Sequence, residues 1–303
     1  MNTDNPHDRF FKETFSRTDI TSDFLQAYLP ETIQAKLDLA SLRRETDSYT
    51  DEQLSEHFAD LVFSADFDGQ PMKITLLLEH KSYPVKYPHV QLNRYMLNVW
   101  EGQIKQKSAL TPILPVVIYH GTSRWRKQPF PTYFPGLADE LNPYLPIFDY
   151  VLIDLGTIEE KLPQLHSDYA RLTGLLLQYS RRKQALIRAL ETHVQLVRNL
   201  VTTDQGRVFI STTVIYLSWT NRLTTVEVIA IFEHISTQAG QTAMSAAQTW
   251  INQGIEQGIE KGLERGVRGR VKLGMEAATI AAALEMPQAE IERIIEKIRN
   301  EAN

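Results

Sequence analysis

The segment from Phe58 to Ser82 constrains the chain more than any other, because it ends an apolar run on charged residues that a sheet interior would not tolerate. It reads as two strands joined by a turn within Asp66-Phe67-Asp68-Gly69-Gln70, with Gly69 supplying the turn. In the second strand, Ile74 to Leu78 is apolar apart from Thr75, as expected of a strand covered on both faces. The run then stops at Glu79-His80-Lys81. Side chains alternate across a strand, so Glu79 and Lys81 share one side and His80 takes the other. Asp60 stands near the start of the first strand, and an antiparallel turn near Asp68 brings it beside Glu79.

Two carboxylates and an ammonium at the edge of an apolar sheet are costly unless they serve each other or an ion. An Asp–Glu pair offers hard oxygen ligands suited to Mg²⁺, with Mn²⁺ as the alternative, and leaves positions for water and a phosphate. A lysine two residues beyond the second acid can steady an attacking water or the charge developing on phosphorus. Asp60, Glu79 and Lys81 are therefore the candidate catalytic residues, with Asp60 and Glu79 the candidate metal ligands, in a layout suited to phosphodiester hydrolysis. The plainer reading is a surface ion pair between Glu79 and Lys81 with Asp60 solvated. The apolar strand directly ahead of them and the acid upstream weigh against it.

Asp60 followed after a hairpin by Glu79-His80-Lys81 resembles the Asp…(Asp/Glu)-x-Lys signature of the PD-(D/E)XK nuclease superfamily. Four blocks in order narrow the match: His7-Asp8-Arg9-Phe10-Phe11-Lys12, Leu78 to Ser82, Arg94-Tyr95-Met96 and Pro115 to Gly121. Together they are similar to the recombination-promoting nuclease family, whose members often carry a transposase label. The resemblance implies an α/β fold of restriction-endonuclease type, a mixed sheet flanked by helices and followed by a helical C-terminal region. It also implies a DNA endonuclease of little sequence preference that promotes recombination. The competing class is an inactive DNA-binding or assembly protein related to transposases. The presence of all three residues, Asp60, Glu79 and Lys81, favours the enzyme.

The 303-residue chain has no cysteine, which excludes a disulfide framework and any thiolate nucleophile or metal ligand. No apolar run reaches membrane-spanning length and the N-terminal stretch lacks an apolar signal core, so a cytoplasmic protein with no membrane segment is expected. A net charge of −5 argues against a chain-wide basic surface but leaves room for a local basic groove on DNA.

The remaining elements divide the chain at the level of sequence into a nuclease-like part (1–156), a helical bracing region (157–250) and a glycine-repeat helix with a terminal helix pair (251–303). Residues 7–39 read as helical, with Asp8 or Asp19 as caps and a third helix from Glu31 to Leu37. Glu13 lies on the first helix, where a carboxylate of this superfamily sometimes approaches the metal; the alternative is a solvated residue. The spacing predicts a helix over 89–107 that carries Gln91 and Tyr95 on one face, with Arg94 beside them as a candidate to bind a DNA phosphate or as a solvated residue. In some relatives such a pair supports the lysine or contacts DNA. Strands are expected at 112–120, ending in His120 as a further supporting candidate, and at 147–155. Between them, Arg124, Arg126 and Lys127 alternate with Trp125, Phe130 and Tyr133, a composition suited to DNA phosphates and exposed bases, or to packing the loop onto the domain.

The apolar run Val208–Trp219 is read as a buried helix. Gly254, Gly258, Gly262 and Gly266 repeat every four residues and fall on one helix face, which suggests close approach of a partner helix and a homo-oligomer built by the C-terminal half, or else a loosely ordered linker helix. Glu276–Ile298 reads as two short helices split near Met286-Pro287, resembling a helix-turn-helix or a simple packing pair.

Overall fold

The computed structural model describes residues 6–45, 60–79, 85–121, 123–220 and 223–300, with only the backbone of residues 6–8, 60, 75–79 and 257. His80 and Lys81 lie outside the described residues. The chain divides into two compact units, Met1–Met244 and Ser245–Asn303.

The first unit is α/β and is built on a five-stranded mixed sheet with strands in chain order. Strands β1 (Leu37–Arg44), β2 (Asp60–Phe67) and β3 (Gln70–Glu79) form an antiparallel meander. Helix α4 (Pro88–Lys105) then carries the chain across to β4 (Ile113–Tyr119), which pairs parallel with β3, and β5 (Val151–Asp154) pairs parallel with β4. The hairpin closes on two residues, Asp68 and Gly69, both with positive φ (54° and 76°). That backbone matches the twist of the strands, and Asp-Gly is a sequence that adopts it readily.

Alternation along β2 divides the sheet into two unlike faces. Leu61, Phe63 and Ala65 are buried, while Val62 and Ser64 are half-buried and Asp66 is exposed. The buried face meets the N-terminal helices α1 (Pro6–Phe15), which lies against β2, and α2 (Thr18–Tyr28), which lies against β1 and β5. Phe10, Phe11, Phe15, Ile20 and Phe24 fill that layer. Behind it stand α6 (Asp168–Tyr179) and α9 (Asp204–Thr220), packed on α2 and α1 respectively, with Phe10 stacked on Tyr216 at 4.1 Å. Between and after these run α5 (Ile158–Lys161), α7 (Lys183–Thr192), α8 (Val194–Leu200) and α10 (Thr225–Ile235).

Some expected boundaries and caps differ. Helix α3 is a single turn, Glu31–Gln34, and Leu37 opens β1 instead of closing a helix. The sheet captures it: Leu37 pairs with Phe67, and the Asp68 amide donates to the Lys36 carbonyl at 2.8 Å. Neither Asp8 nor Asp19 is a helix cap. Asp8 lies inside α1, and Asp19 sits in the first turn of α2, where its carboxylate pairs with Arg17 at 2.6 Å. Strand β5 is shorter than expected because Phe148 to Tyr150 pack around His89. Helix α9 includes Val208–Trp219, but both end residues are exposed; the buried side is Phe209, Ile210, Val214, Tyr216 and Leu217.

The second unit holds most of α11 (Thr237–Lys272) and the pair α12 (Ala277–Leu284) and α13 (Gln288–Asn300). The pair turns at Glu285, which has φ 53°, and closes over Val267 with Ile280, Ala281 and Ile291 at the centre of its own core. Lys297 reaches back to Glu260 at 2.9 Å and Glu264 at 2.5 Å, so α13 is fastened to α11. A Cβ placed at Gly254, Gly258 or Gly262 meets nothing within 4 Å. Changing all three to alanine is therefore expected to stabilise the helix by about 0.5–1 kcal/mol per site. Thermal unfolding followed by far-ultraviolet circular dichroism would show this as a higher melting temperature for the helical signal. No described helix is long and apolar enough to cross a membrane.

Candidate active site at the β2–β3 rim

The pairing register places the two candidate acids. Asp60 opens β2 directly opposite Leu77 of β3, and Glu79 closes β3 two residues further on. Opposed residues of an antiparallel pair share a face, as do residues two apart on one strand, so positions 60, 77 and 79 lie on the same face. A diagonal pair of this kind has Cα atoms roughly 7–8 Å apart, close enough for two carboxylates to converge on one cation. The parallel ladder carries the face onward, because Leu77 pairs with Val117 and Glu79 with Tyr119.

This is the face that α4 covers. Leu92 and Tyr95 of α4 form one cluster with Val117, Tyr119, Trp125 and Tyr150. Gln91, one turn before Tyr95, is half-buried, and its Oε1 is buried without a hydrogen-bond partner among the described residues. Buried acceptors are seldom left so, which marks Gln91 as a residue awaiting a donor. His120 follows Tyr119 directly and is buried, 2% exposed. Glu13 stands on the exposed side of α1, paired with Arg9 at 2.9 Å, and lines a hollow with Thr212, Ile215 and Trp219 of α9.

The same face continues over β1 and β2 as a polar floor that the sequence reading missed. Ser64 pairs with Lys73, and the Lys73 ammonium holds Glu45, just beyond β1, at 2.7 Å. Burial alone would raise the Glu45 pKa. The hydrogen bonds from Lys73 and Ser64 outweigh it and hold the carboxylate below its ordinary range. Lys73 precedes Glu79 by an even number of residues, so strand alternation was the signal that could have found it.

The segment after β4 is fixed by aromatic packing. Trp125 and Phe130 are buried, Trp125 lies edge-on to Tyr119 at 5.0 Å, and Lys127 is engaged by Asp149 at 2.7 Å and the Tyr150 carbonyl at 2.8 Å. Trp125 and Phe130 therefore offer no open surface for bases; closing the sheet face uses them instead. Arg124 and Arg126 remain exposed, and Arg94 is exposed on the outer side of α4.

His89, in the first turn of α4, anchors this segment. Phe130, Tyr133, Phe148 and Tyr150 surround it at 5.2–5.5 Å between ring centres, and its Nδ1 is 2.9 Å from the Tyr133 hydroxyl. Burial lowers its pKa below the ordinary 6.5; the Lys127 charge adds to that and Asp149 opposes it. A histidine held neutral in the fold takes up its proton more readily when unfolded, so its contribution is present above the unfolded pKa and is lost as pH falls below it. The melting temperature is expected to drop as pH is lowered from about 6.5 towards 5, and His89→Gln should remove that step. Differential scanning fluorimetry across pH would check it.

Comparison with known proteins decides the family. Residues 5–208 match the family described as "Putative transposase, YhgA-like". The chain belongs to that family. Among curated relatives it is 28% identical to the recombination-promoting nuclease RpnC of Escherichia coli K12 over 97% of this chain and 98% of that protein. It is 31% identical to recombination-promoting nuclease RpnA of the same strain over 38% of this chain and 40% of the relative. A protein named as an inactive recombination-promoting nuclease-like protein, RpnE, is 28% identical over 39% of this chain and 40% of its own length. No solved structure matches the chain.

Among the described residues of this family member, no group of three or more histidine and acidic side chains could hold a metal. The side chains of Asp60 and Glu79 are not among those described. As a donor set, one aspartate and one glutamate supply hard oxygens and no sulfur or imidazole, which fits Mg²⁺ or Mn²⁺ better than Zn²⁺.

Proposed function

We propose that this chain is a metal-dependent DNA endonuclease of PD-(D/E)XK type, acting in the cytoplasm with little sequence preference and promoting DNA recombination. The observation that carries the reading is the strand register, which sets Asp60 and Glu79 diagonally on one face at the sheet rim. The likeness to RpnC along nearly the whole of both chains supports it.

On this reading Asp60 and Glu79 hold the cation through carboxylate oxygens, at the sheet rim, where it meets the scissile phosphate. A divalent cation there supplies Lewis-acid stabilisation of the charge that develops on the scissile phosphate. Lys81, two residues beyond Glu79, orients the attacking water through its ammonium group and steadies the same charge. Gln91, whose buried carbonyl oxygen has no donor among the described residues, positions Lys81. Arg124 and Arg126, held outward by the buried Trp125 between them, bind the neighbouring DNA backbone as charges of long reach.

A second reading is a DNA-binding or assembly protein without catalysis, favoured by the inactive relative RpnE. Incubation of the purified chain with supercoiled plasmid, with Mg²⁺ or Mn²⁺ and with chelator, separates the two. The nuclease reading expects nicking that chelator abolishes. DNA retention without divalent-dependent cleavage, on double- and single-stranded substrates alike, would establish the second reading and end the first.

A further inference from the structure

Helix α4 buries one face against the sheet and presents on its outer face a stripe that stays exposed among the described residues of the first unit. Val90, Leu97 and Ile104 recur every seven residues and are 54%, 47% and 60% exposed. Arg94 and Glu101, both exposed, lie between them, so the stripe reads apolar, positive, apolar, negative, apolar. Single exposed aliphatic residues are ordinary on a protein surface; three in heptad register on one face form a seam.

We propose that this face pairs with the same face of a second copy of the chain, the two α4 helices running antiparallel. The order of the stripe argues for this occupant. Read in reverse it interchanges the two charges and keeps the apolar positions, so it is complementary to itself only when one helix is turned end for end. A two-fold axis near Leu97 then sets Val90 against Ile104 of the second copy, Leu97 against its own equivalent, and Arg94 near Glu101 of the second copy. In a parallel pairing Arg94 would face Arg94 and Glu101 would face Glu101, which is repulsive. A closed, isologous contact of this kind is the commonest form of self-association.

The proposal moves the expected self-association from the glycine-bearing helix of the C-terminal half to the first unit, and it is independent of whether the rim cleaves DNA. An 18-residue helix is about 27 Å long, and one such helix pair falls at the small end of specific interfaces. Association in the micromolar range is therefore expected, and sedimentation velocity of the full chain should be run from roughly micromolar to hundreds of micromolar.

Leu97→Glu should leave the chain monomeric across that range. Arg94→Glu and Glu101→Arg should each weaken association by about tenfold, and the double exchange should restore it to within about threefold of wild type. These positions are exposed, and thermal melting of each variant checks that the fold is retained. A wild-type chain that stays monomeric throughout would overturn the proposal. So would a dimer that Leu97→Glu leaves unchanged, which would point to another segment, or a double exchange no better than the single ones.

Discussion

Asp60→Ala and Glu79→Ala are each expected to lower divalent-dependent plasmid cleavage by about a thousandfold or more, because each removes half of the carboxylate set proposed to hold the cation. A cation stabilising charge on phosphorus contributes several kcal/mol to the transition state, and each 1.36 kcal/mol is a factor of about ten in rate. The effects should not add. Once one ligand is gone the other has little to hold, so the double variant is expected to be no slower than either single one. The same pair makes a prediction that needs no catalysis. Two like charges on diagonal positions repel when no cation lies between them, so either substitution should leave the melting temperature unchanged or slightly higher without metal. Mg²⁺ should raise the melting temperature of the wild type and not that of the variants, because only a folded chain with both carboxylates binds it. Full cleavage by Asp60→Ala, with its metal-induced stabilisation intact, would remove Asp60 from the site and with it the proposed mechanism.

Much of the sheet was legible because its signals are local. Asp68-Gly69 is a turn on account of its own backbone preferences, and the structure shows both residues at positive φ. Strand alternation then fixed which positions share a face. Residues whose placement depends on distant partners were not legible. Leu37 has helix-compatible neighbours but pairs with Phe67, thirty positions along the chain. His89 carries no mark in the sequence of the aromatic cage that Phe130, Tyr133, Phe148 and Tyr150 assemble around it from a separate loop. Lys127 sits among aromatic residues much as a DNA-binding residue would, and only Asp149 beside it reveals that its charge is already engaged. Glu45 and Lys73 likewise meet across β2, a relation that neither segment contains alone.

Phe63→Ala is expected to cost about 3–5 kcal/mol, the usual loss for truncating a fully buried aromatic side chain, and to lower the melting temperature by roughly 6–20 °C. Phe63 is 0% exposed and pairs with Ile74, also 0% exposed, on the face that the N-terminal helices cover. Its neighbour Val62 points to the other, half-open face, and Val62→Ala should cost about 1 kcal/mol or less. Domains of this kind are stable by only about 5–15 kcal/mol, so the Phe63 variant should give up a large share of that margin while the Val62 variant keeps most of it.

The contrast between these two neighbours also tests the site without any activity assay. Side chains alternate with a period of two, so a slip of one residue in the β2 register would exchange the faces of the whole strand. Val62 would then be the core residue, and Asp60 would be driven towards the apolar layer, away from the face shared with Glu79. Chemical denaturation of the two variants reads this directly. A large loss at Phe63 and a small one at Val62 hold Asp60 on the α4 side of the sheet, where a carboxylate can stay charged and reach a cation. The reverse order would place that carboxylate among the phenylalanines of α1 and α2, where it would be neutral at physiological pH and unfit to bind metal.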